Sequence, residues 1–310
     1  GESVRIFTGS AVPDTANTVI MQEKVKQNKN QLQLNNPAIL NENIRPKGEQ
    51  IKDEQLNDVL KRCEMMEKQM EQNVSFFEGI TIAAFVAFSE SDADFNLIET
   101  GLGGRLDATN VFGDKLLNII TPISLDHTDM LGDNILSIAT EKMHILRNDS
   151  QLVLAKQDDS VTALISKYCD ELNCGISKFG SDFSFEEDNK EIIYTAADSV
   201  KIQKNKISLR GGHQFANLAV AINSFTKVSN FKLDDQKINQ AVSKVKWPAR
   251  LETIRGGKLL QEGQEILLDA SHNIAGAKSL VEFFRDNNMN NLIGVIAMSE
   301  GRDIRSYLEI

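Results

Sequence analysis

Glu99-Thr-Gly-Leu-Gly-Gly-Arg-Leu-Asp-Ala-Thr-Asn110 is the stretch that decides how this 310-residue chain folds. It follows a short apolar run, residues 94–99, expected to be a strand that ends on Glu99. Its glycines suit a turn in which backbone amides approach a ligand closely. Residues 116–123 read as the next strand, and Ser124-Leu-Asp-His-Thr-Asp129 lies just past its end. Further along, a helix is expected at 134–146, a strand at 152–155 and a helix at 161–168. Strand alternating with helix indicates a parallel α/β sheet. In such sheets ligands bind beyond the carboxyl ends of the strands. Glu99 and His127 are therefore expected at one edge, where a carboxylate and an imidazole can share a divalent ion. The plainer readings stand beside this one: a glutamate at a strand end is usually solvated, and a histidine before Thr-Asp usually serves a turn.

The flanking segments complete the outline. Residues 1–50 look weakly structured, with a short strand at 4–7 and a Gln/Asn/Lys-rich stretch at 22–34. Residues 52–72 have apolar positions at helical spacing (Leu56, Val59, Leu60, Cys63, Met66) and open with acidic Asp53 and Glu54. Residues 75–88 are far more apolar and read as a buried helix. Residues 179–209 break into short alternating segments, which suggests an antiparallel insert, and 215–225 return to helix. Trp247-Pro248 marks a boundary, because proline ends regular structure. Beyond it come a strand at 265–269, a helix at 274–284 and a strand at 292–297. Two domains follow, 1–246 and 247–310.

A net charge of −10 argues against non-specific binding to nucleic acid or to an anionic membrane, both of which need a basic field. No apolar run is long enough to span a bilayer, and no signal-peptide core opens the chain. Three cysteines (Cys63, Cys169, Cys174) without a framework pattern suit a reducing compartment, so the cytoplasm is the expected location.

The opening string resembles the signature of the folylpolyglutamate synthase/dihydrofolate synthase family, within the Mur ligase superfamily. Further motifs follow in family order: Ser124-Leu-Asp-His-Thr-Asp129, Glu141-Lys142, Leu209-Arg-Gly-Gly-His-Gln-Phe-Ala-Asn217, Trp247-Pro-Ala-Arg-Leu-Glu252 and Asp269-Ala-Ser-His-Asn273. The resemblance implies a P-loop-NTPase-like central domain with a parallel sheet, and a truncated Rossmann-like C-terminal domain. It implies an ATP-dependent amide ligase that adds L-glutamate to folate or dihydropteroate through an acyl phosphate and acts as a monomer. By the same resemblance, Glu99 and His127 are Mg²⁺ ligands and Lys142 is the lysine carbamylated by CO₂. Asn217, Arg250, Asp269 and His272 are ATP contacts. Ser75, Phe76, Phe77 and Glu78, with Leu106, Asp107 and Ala108, line the pteroate pocket. A Mur-type peptidoglycan ligase shares the lysine and the C-terminal aspartate but fits the Gly-Leu-Gly-Gly-Arg-Leu-Asp-Ala-Thr-Asn string less well.

The chain departs from the family pattern near its start. The family opens on Gly-Thr-Asn-Gly-Lys-Gly-Ser, whose amides cradle phosphate and whose lysine reaches the β- and γ-oxygens. No such string occurs here. Counting back from Asn36-Pro37 places that loop at residues 9–15, where Gly9 remains, Thr15 stands for the serine, Pro13 falls at the lysine position and Asp14 adds negative charge. Asn36 replaces a serine that helps bind Mg²⁺, and Ala38 replaces a histidine. The expected consequence is a degenerate phosphate site, with a non-catalytic homologue or gene fragment as the alternative to an active ligase.

Overall fold

The computed structural model describes residues 25–28, 31–34, 53–70, 73–91, 93–229, 232–257, 260–261, 264–298 and 304–310. The strand expected at 4–7, the phosphate-loop positions 9–15, Asn36 and Ala38 lie outside them. The chain divides into two compact units, Gly1–Glu99 and Thr100–Ile310.

In the first unit, β1 (Val25–Asn28) and β2 (Gln31–Leu34) pair as an antiparallel hairpin. The sequence there was expected to be weakly structured. Its polar residues alternate with Val25, Leu32 and Leu34, a spacing compatible with strand as well as with disorder. Helix α1 (Asp53–Met70) packs on α2 (Phe76–Ser89). Val59 is fully buried, and Arg62 grips Glu90 through two hydrogen bonds of 2.6 and 2.9 Å. Helix α2 begins where Ser75 accepts from the Glu78 amide and Glu78 accepts from the Ser75 amide, a reciprocal capping box. It is less buried than its composition suggests: Thr81 and Ala83 are buried, while Phe76, Phe77 and Ile82 are exposed. Residues 94–99, expected as a strand, form none. Leu97 is 89% exposed, so the run has apolar side chains but no sheet neighbour among the described residues.

The second unit is built on a parallel sheet in the order β3 (Asn118–Ile120), β4 (Gln151–Leu154), β5 (Gly175–Lys178). The central strand is buried on both faces. Leu152 and Leu154 point into a cluster with Ile138, Ala139 and Met143 of α4 (Ile135–Met143) and Val161, Ile165 and Cys169 of α5 (Asp159–Glu171). Val153 and Ala155 point the other way. There they meet the antiparallel sheet β6 (Ser184–Glu187), β7 (Glu191–Thr195), β8 (Ser199–Gln203), together with α6 (His213–Val228) and α7 (Asp235–Lys244). The antiparallel insert expected at 179–209 is thus present as three strands. Helix α7 was not anticipated; it is mostly polar, and Val242 and the half-buried Ile238, one turn apart, are what it sets against the core.

After residue 247, β9 (Glu252–Arg255) pairs antiparallel with β10 (Glu265–Leu268), followed by α8 (Ile274–Asp286) and a short α9 (Ile304–Leu308). The expected strand at 292–297 is irregular, with Ile293 and Val295 both 94% exposed. Its apolar alternation mimics a strand, but no hydrogen-bonded neighbour completes it among the described residues.

One polar chain crosses the second core. The buried Tyr194 hydroxyl donates to Asn223 Oδ1 at 3.1 Å, and Asn223 Nδ2 donates to Ser177 Oγ at 3.0 Å. Burial pushes the Tyr194 phenol up to about 12. Asn223→Ala leaves two buried hydroxyls without this partner and is expected to destabilise the fold by about 2–4 kcal/mol, read as a lowered urea midpoint; an unchanged midpoint contradicts the role given to this chain.

Candidate functional site

Two loops carry most of the chemistry of the second unit, and both follow strands. The first runs from the end of β3 through Thr121-Pro-Ile-Ser-Leu-Asp126 to His127, which adopts a left-handed conformation (φ 49°) and begins the short helix α3 (Thr128–Leu131). The second runs from the end of β10 through Asp269-Ala-Ser-His-Asn273 to the start of α8, where Asn273 caps the helix by accepting from the Gly276 amide. Asp126 ties the two together. Its Oδ2 accepts from Asn273 Nδ2 at 3.0 Å and lies 3.3 Å from His272 Nε2. The other His272 nitrogen faces the Ala270 carbonyl at 3.0 Å, so the ring is held at both ends.

Lys142 lies in the last turn of α4, half-buried. Burial holds its ammonium below the ordinary lysine range, against the opposing pull of Asp126 and Asp107. The neutral amine is therefore easier to form here than on an exposed lysine. The preceding residue, Glu141, pairs with Arg105 at 3.0 Å and accepts the Arg105 amide on its carbonyl. Gly104 lies so close to this helix that an added Cβ would stand 2.7 Å from the Glu141 carbonyl oxygen. The absent side chain is what lets the glycine turn dock on the lysine-bearing helix.

Asp107 organises that turn. It accepts from the Leu102 amide (2.7 Å), the Thr109 amide (2.9 Å) and the Thr109 hydroxyl (2.6 Å). Burial pushes its carboxyl up, but these hydrogen bonds outweigh burial and leave it below the usual range. Beside it, Leu106 is 80% exposed, an apolar side chain held in the open. Ser75 and Glu78 serve the cap of α2, and Phe76 and Phe77 are exposed there.

Around Arg250 the backbone is strained. Ala249 (φ 56°) and Leu251 (φ 48°), on either side of it, occupy the left-handed region that non-glycine residues seldom enter. Hydrogen bonds hold them there. The Leu251 amide donates to Asp269 Oδ2 (2.9 Å), the Ala249 amide to Glu252 Oε2 (2.8 Å) and the Ala270 amide to the Ala249 carbonyl (2.9 Å). Asp269 Oδ1 also accepts the Ser271 amide at 2.8 Å. Asp269 is thus first a clasp that shapes the Arg250 turn. His213 sits within electrostatic reach of both: burial lowers its imidazole, Asp269 opposes that and Arg250 adds to it. Asn217, one turn along α6, donates to Gln214 at 3.2 Å.

The structure therefore brings Asp126, His127, His272 and Asn273 to one place, with Lys142 within electrostatic reach of Asp126 and of Asp107, and Arg250, Asp269 and His213 to another. Glu99 belongs to the first unit and His127 to the second. Among the described residues no group of three or more His, Cys, Asp or Glu is gathered as a metal site. Sequence reasoning missed Asp126 and His213 as organising residues, although both stand inside the quoted motifs. Nothing in a motif string says which of its polar residues will reach another loop.

The chain is similar to several known proteins. Residues 1–67 match the family model described as the MoeA N-terminal region (domain I and II). The chain is similar to a probable dihydrofolate synthetase of Schizosaccharomyces pombe, 29% identical over 268 residues, covering 85% of this chain and 63% of that protein. It is also similar to the dihydrofolate synthase/folylpolyglutamate synthase of Bacillus subtilis, 30% identical over 280 residues, covering 83% and 61%. Among solved structures, the Mycobacterium tuberculosis folylpolyglutamate synthase complexed with ADP superimposes with a TM-score of 0.67 at 27% identity, over 76% of this chain and 54% of that one. An FPGS–AMPPCP–folate complex does so with a TM-score of 0.67 at 26% identity, over 76% and 57%. The chain thus spans about three-fifths of the length of the curated relatives it matches.

The clasp yields a prediction. Asp269→Ala strips two backbone amides of their acceptor and is expected to cost about 2–4 kcal/mol, while Asp269→Asn, which keeps an acceptor oxygen, costs less. Urea unfolding of the two variants checks this, and equal losses contradict a clasp built on hydrogen-bond acceptance.

Proposed function

We propose, from the kinship of this chain with dihydrofolate synthase/folylpolyglutamate synthase proteins, that it carries the substrate-positioning part of an ATP-dependent ligase joining L-glutamate to folate or dihydropteroate. The observation that carries the reading is the pairing of the loops after β3 and β10 through Asp126, with the half-buried Lys142 nearby. A carboxylate is a poor electrophile. In the proposed reaction it attacks the γ-phosphate of ATP, ADP leaves, and the resulting acyl phosphate is displaced by the glutamate amine with release of phosphate. Aligning three reactants supplies much of the rate.

The roles follow from the side chains. Lys142, neutral more readily than an exposed lysine, is the proposed carbamate. Arg250, presented on its strained turn, is the proposed counter-charge to phosphate. Asp269 keeps further lone pairs for a ribose hydroxyl after serving its two amides, with Asn217 and His272 as additional nucleotide contacts. Exposed Phe76, Phe77 and Leu106, with Ser75, Glu78, Asp107 and Ala108, are the proposed pteroate surface. Residues 247–310 are the proposed partial glutamate-ligase domain, 1–246 the remainder, and the protein is proposed to act as a cytoplasmic monomer. Glu99 and His127 are the proposed magnesium ligands, and magnesium would spread the charge on the phosphoryl oxygens.

One observation favours a second reading, a non-catalytic relative that keeps folate or partner binding. The 310 residues contain no Gly-Lys-Ser/Thr phosphate loop, and residues 9–15, set against that loop, fall inside the stretch matching the MoeA N-terminal region. Removing the cradle is expected to slow ligation by at least about 10³-fold. Glutamate incorporation into folate or dihydropteroate, assayed beside a relative that has the loop, tests this; equal turnover contradicts it. Carbon-13 NMR in labelled bicarbonate tests Lys142 separately. A carbamate signal is expected in the native chain and lost in Lys142→Arg, and a native chain without the signal removes Lys142 from this role.

A further inference from the structure

Three side chains at the start of α6 form a directional relay. Asn217 Nδ2 donates to Gln214 Oε1 at 3.2 Å, and Gln214 Nε2 lies 3.0 Å from His213 Nε2. An amide nitrogen carries only hydrogens, so His213 Nε2 is the acceptor and the ring proton sits on Nδ1. That requires a neutral imidazole. Burial favours it, Asp269 and Glu282 oppose it from the loop after β10 and from α8, and Arg250 favours it.

The relay decides which end of the Asn217 amide is free. Its Nδ2 is spent on Gln214, and Oδ1 has no partner among the described residues on this exposed side chain. Asn217 therefore offers a ligand an acceptor and takes a donor from it. Turning the Asn217 amide over would set its oxygen against the oxygen of Gln214, so the rest of the relay forbids the alternative.

The relay is also seated against the turn that presents Arg250. A methyl group added to Gly211 would stand 2.7 Å from His213 Cε1 and 2.9 Å from Leu251 Cδ1, so ring and turn pack on the same bare backbone. One residue earlier, Arg210 donates to the Thr253 hydroxyl at 2.6 Å. Asn217 follows His213 by about one helical turn.

We propose that Gln214 determines the base specificity of the nucleotide site: by orienting Asn217 it selects an amino-purine over an oxo-purine. The inference rests on the nucleotide reading given above, in which Arg250 meets phosphate and Asp269 a ribose hydroxyl, so that the base is left to Asn217. Adenine offers its exocyclic N–H to Asn217 Oδ1. Hypoxanthine sets a carbonyl oxygen there, and two acceptors face each other. Gln214 is a positioning residue, acting only through Asn217.

The test is a saturation-transfer NMR titration of the whole chain with adenosine and with inosine. Neither carries a phosphate, so the phosphate loop does not enter. Adenosine is expected to bind at least about tenfold more tightly, and Asn217→Ala to weaken its binding. Gln214→Glu still accepts from Asn217 Nδ2 and is expected to keep the preference. Gln214→Lys can only donate, turns the Asn217 amide over and is expected to reverse the preference toward inosine. A merely structural role for Gln214 would move both nucleosides together in both variants. Equal affinities in the native chain, a preference lost in Gln214→Glu, or one kept in Gln214→Lys overturns this inference alone. No binding of either nucleoside, or binding indifferent to Asn217→Ala, overturns the nucleotide reading with it.

Discussion

The second unit depends on burying both faces of one strand. Leu152, Val153, Leu154 and Ala155 are all between 0 and 4% exposed, although successive side chains of a strand point to opposite sides. Leu152 and Leu154 need α4 and α5; Val153 and Ala155 need α6 and the three-stranded insert. Neither layer can leave without exposing half of β4, and removing a single leucine side chain from such a site costs about 2–5 kcal/mol. This constraint fixes where α4 ends, and so where Lys142 and Glu141 are found.

What the packed layers position, polar clasps refine. Asp107 closes the glycine turn, Asp269 holds the strained turn around Arg250, and Asp126 joins the loop after β3 to the loop after β10. All three carboxylates sit beyond the ends of secondary-structure elements, where main-chain amides lack ladder partners. His127, Ala249 and Leu251 take left-handed conformations within this region. Such strain persists only where surrounding bonds over-determine it, and at Ala249 and Leu251 those bonds are visible.

Much of the second unit was legible in the sequence because its signals are local. The apolar run at β4, the asparagine before α4 and the alternation at β7 and β8 each point one way. The failures share a cause. Residues 94–99 and 292–297 have the apolar character of strands, but a strand exists only when a neighbour pairs with it, and pairing is not a local property. Phe76 and Phe77 looked like core for the same reason: composition reports what can be buried, not whether anything arrives to cover it. At the site, motif order named Lys142, Asp269 and His272 as candidates. The tie from Asp126 to His272 and Asn273 spans almost 150 positions and leaves no local trace.

The chain is therefore similar to dihydrofolate synthase/folylpolyglutamate synthase over most of its length, yet residues 1–67 match a different family model, and the stretch set against the phosphate loop lies within them. On the proposed reading, recognition of a pteroyl substrate and recognition of the ATP phosphates have come apart in this molecule. Calorimetric titration of one sample with folate and, separately, with a non-hydrolysable ATP analogue measures both. The account predicts heat of binding for folate and only weak binding of the analogue. Tight binding of the analogue together with no binding of folate contradicts it.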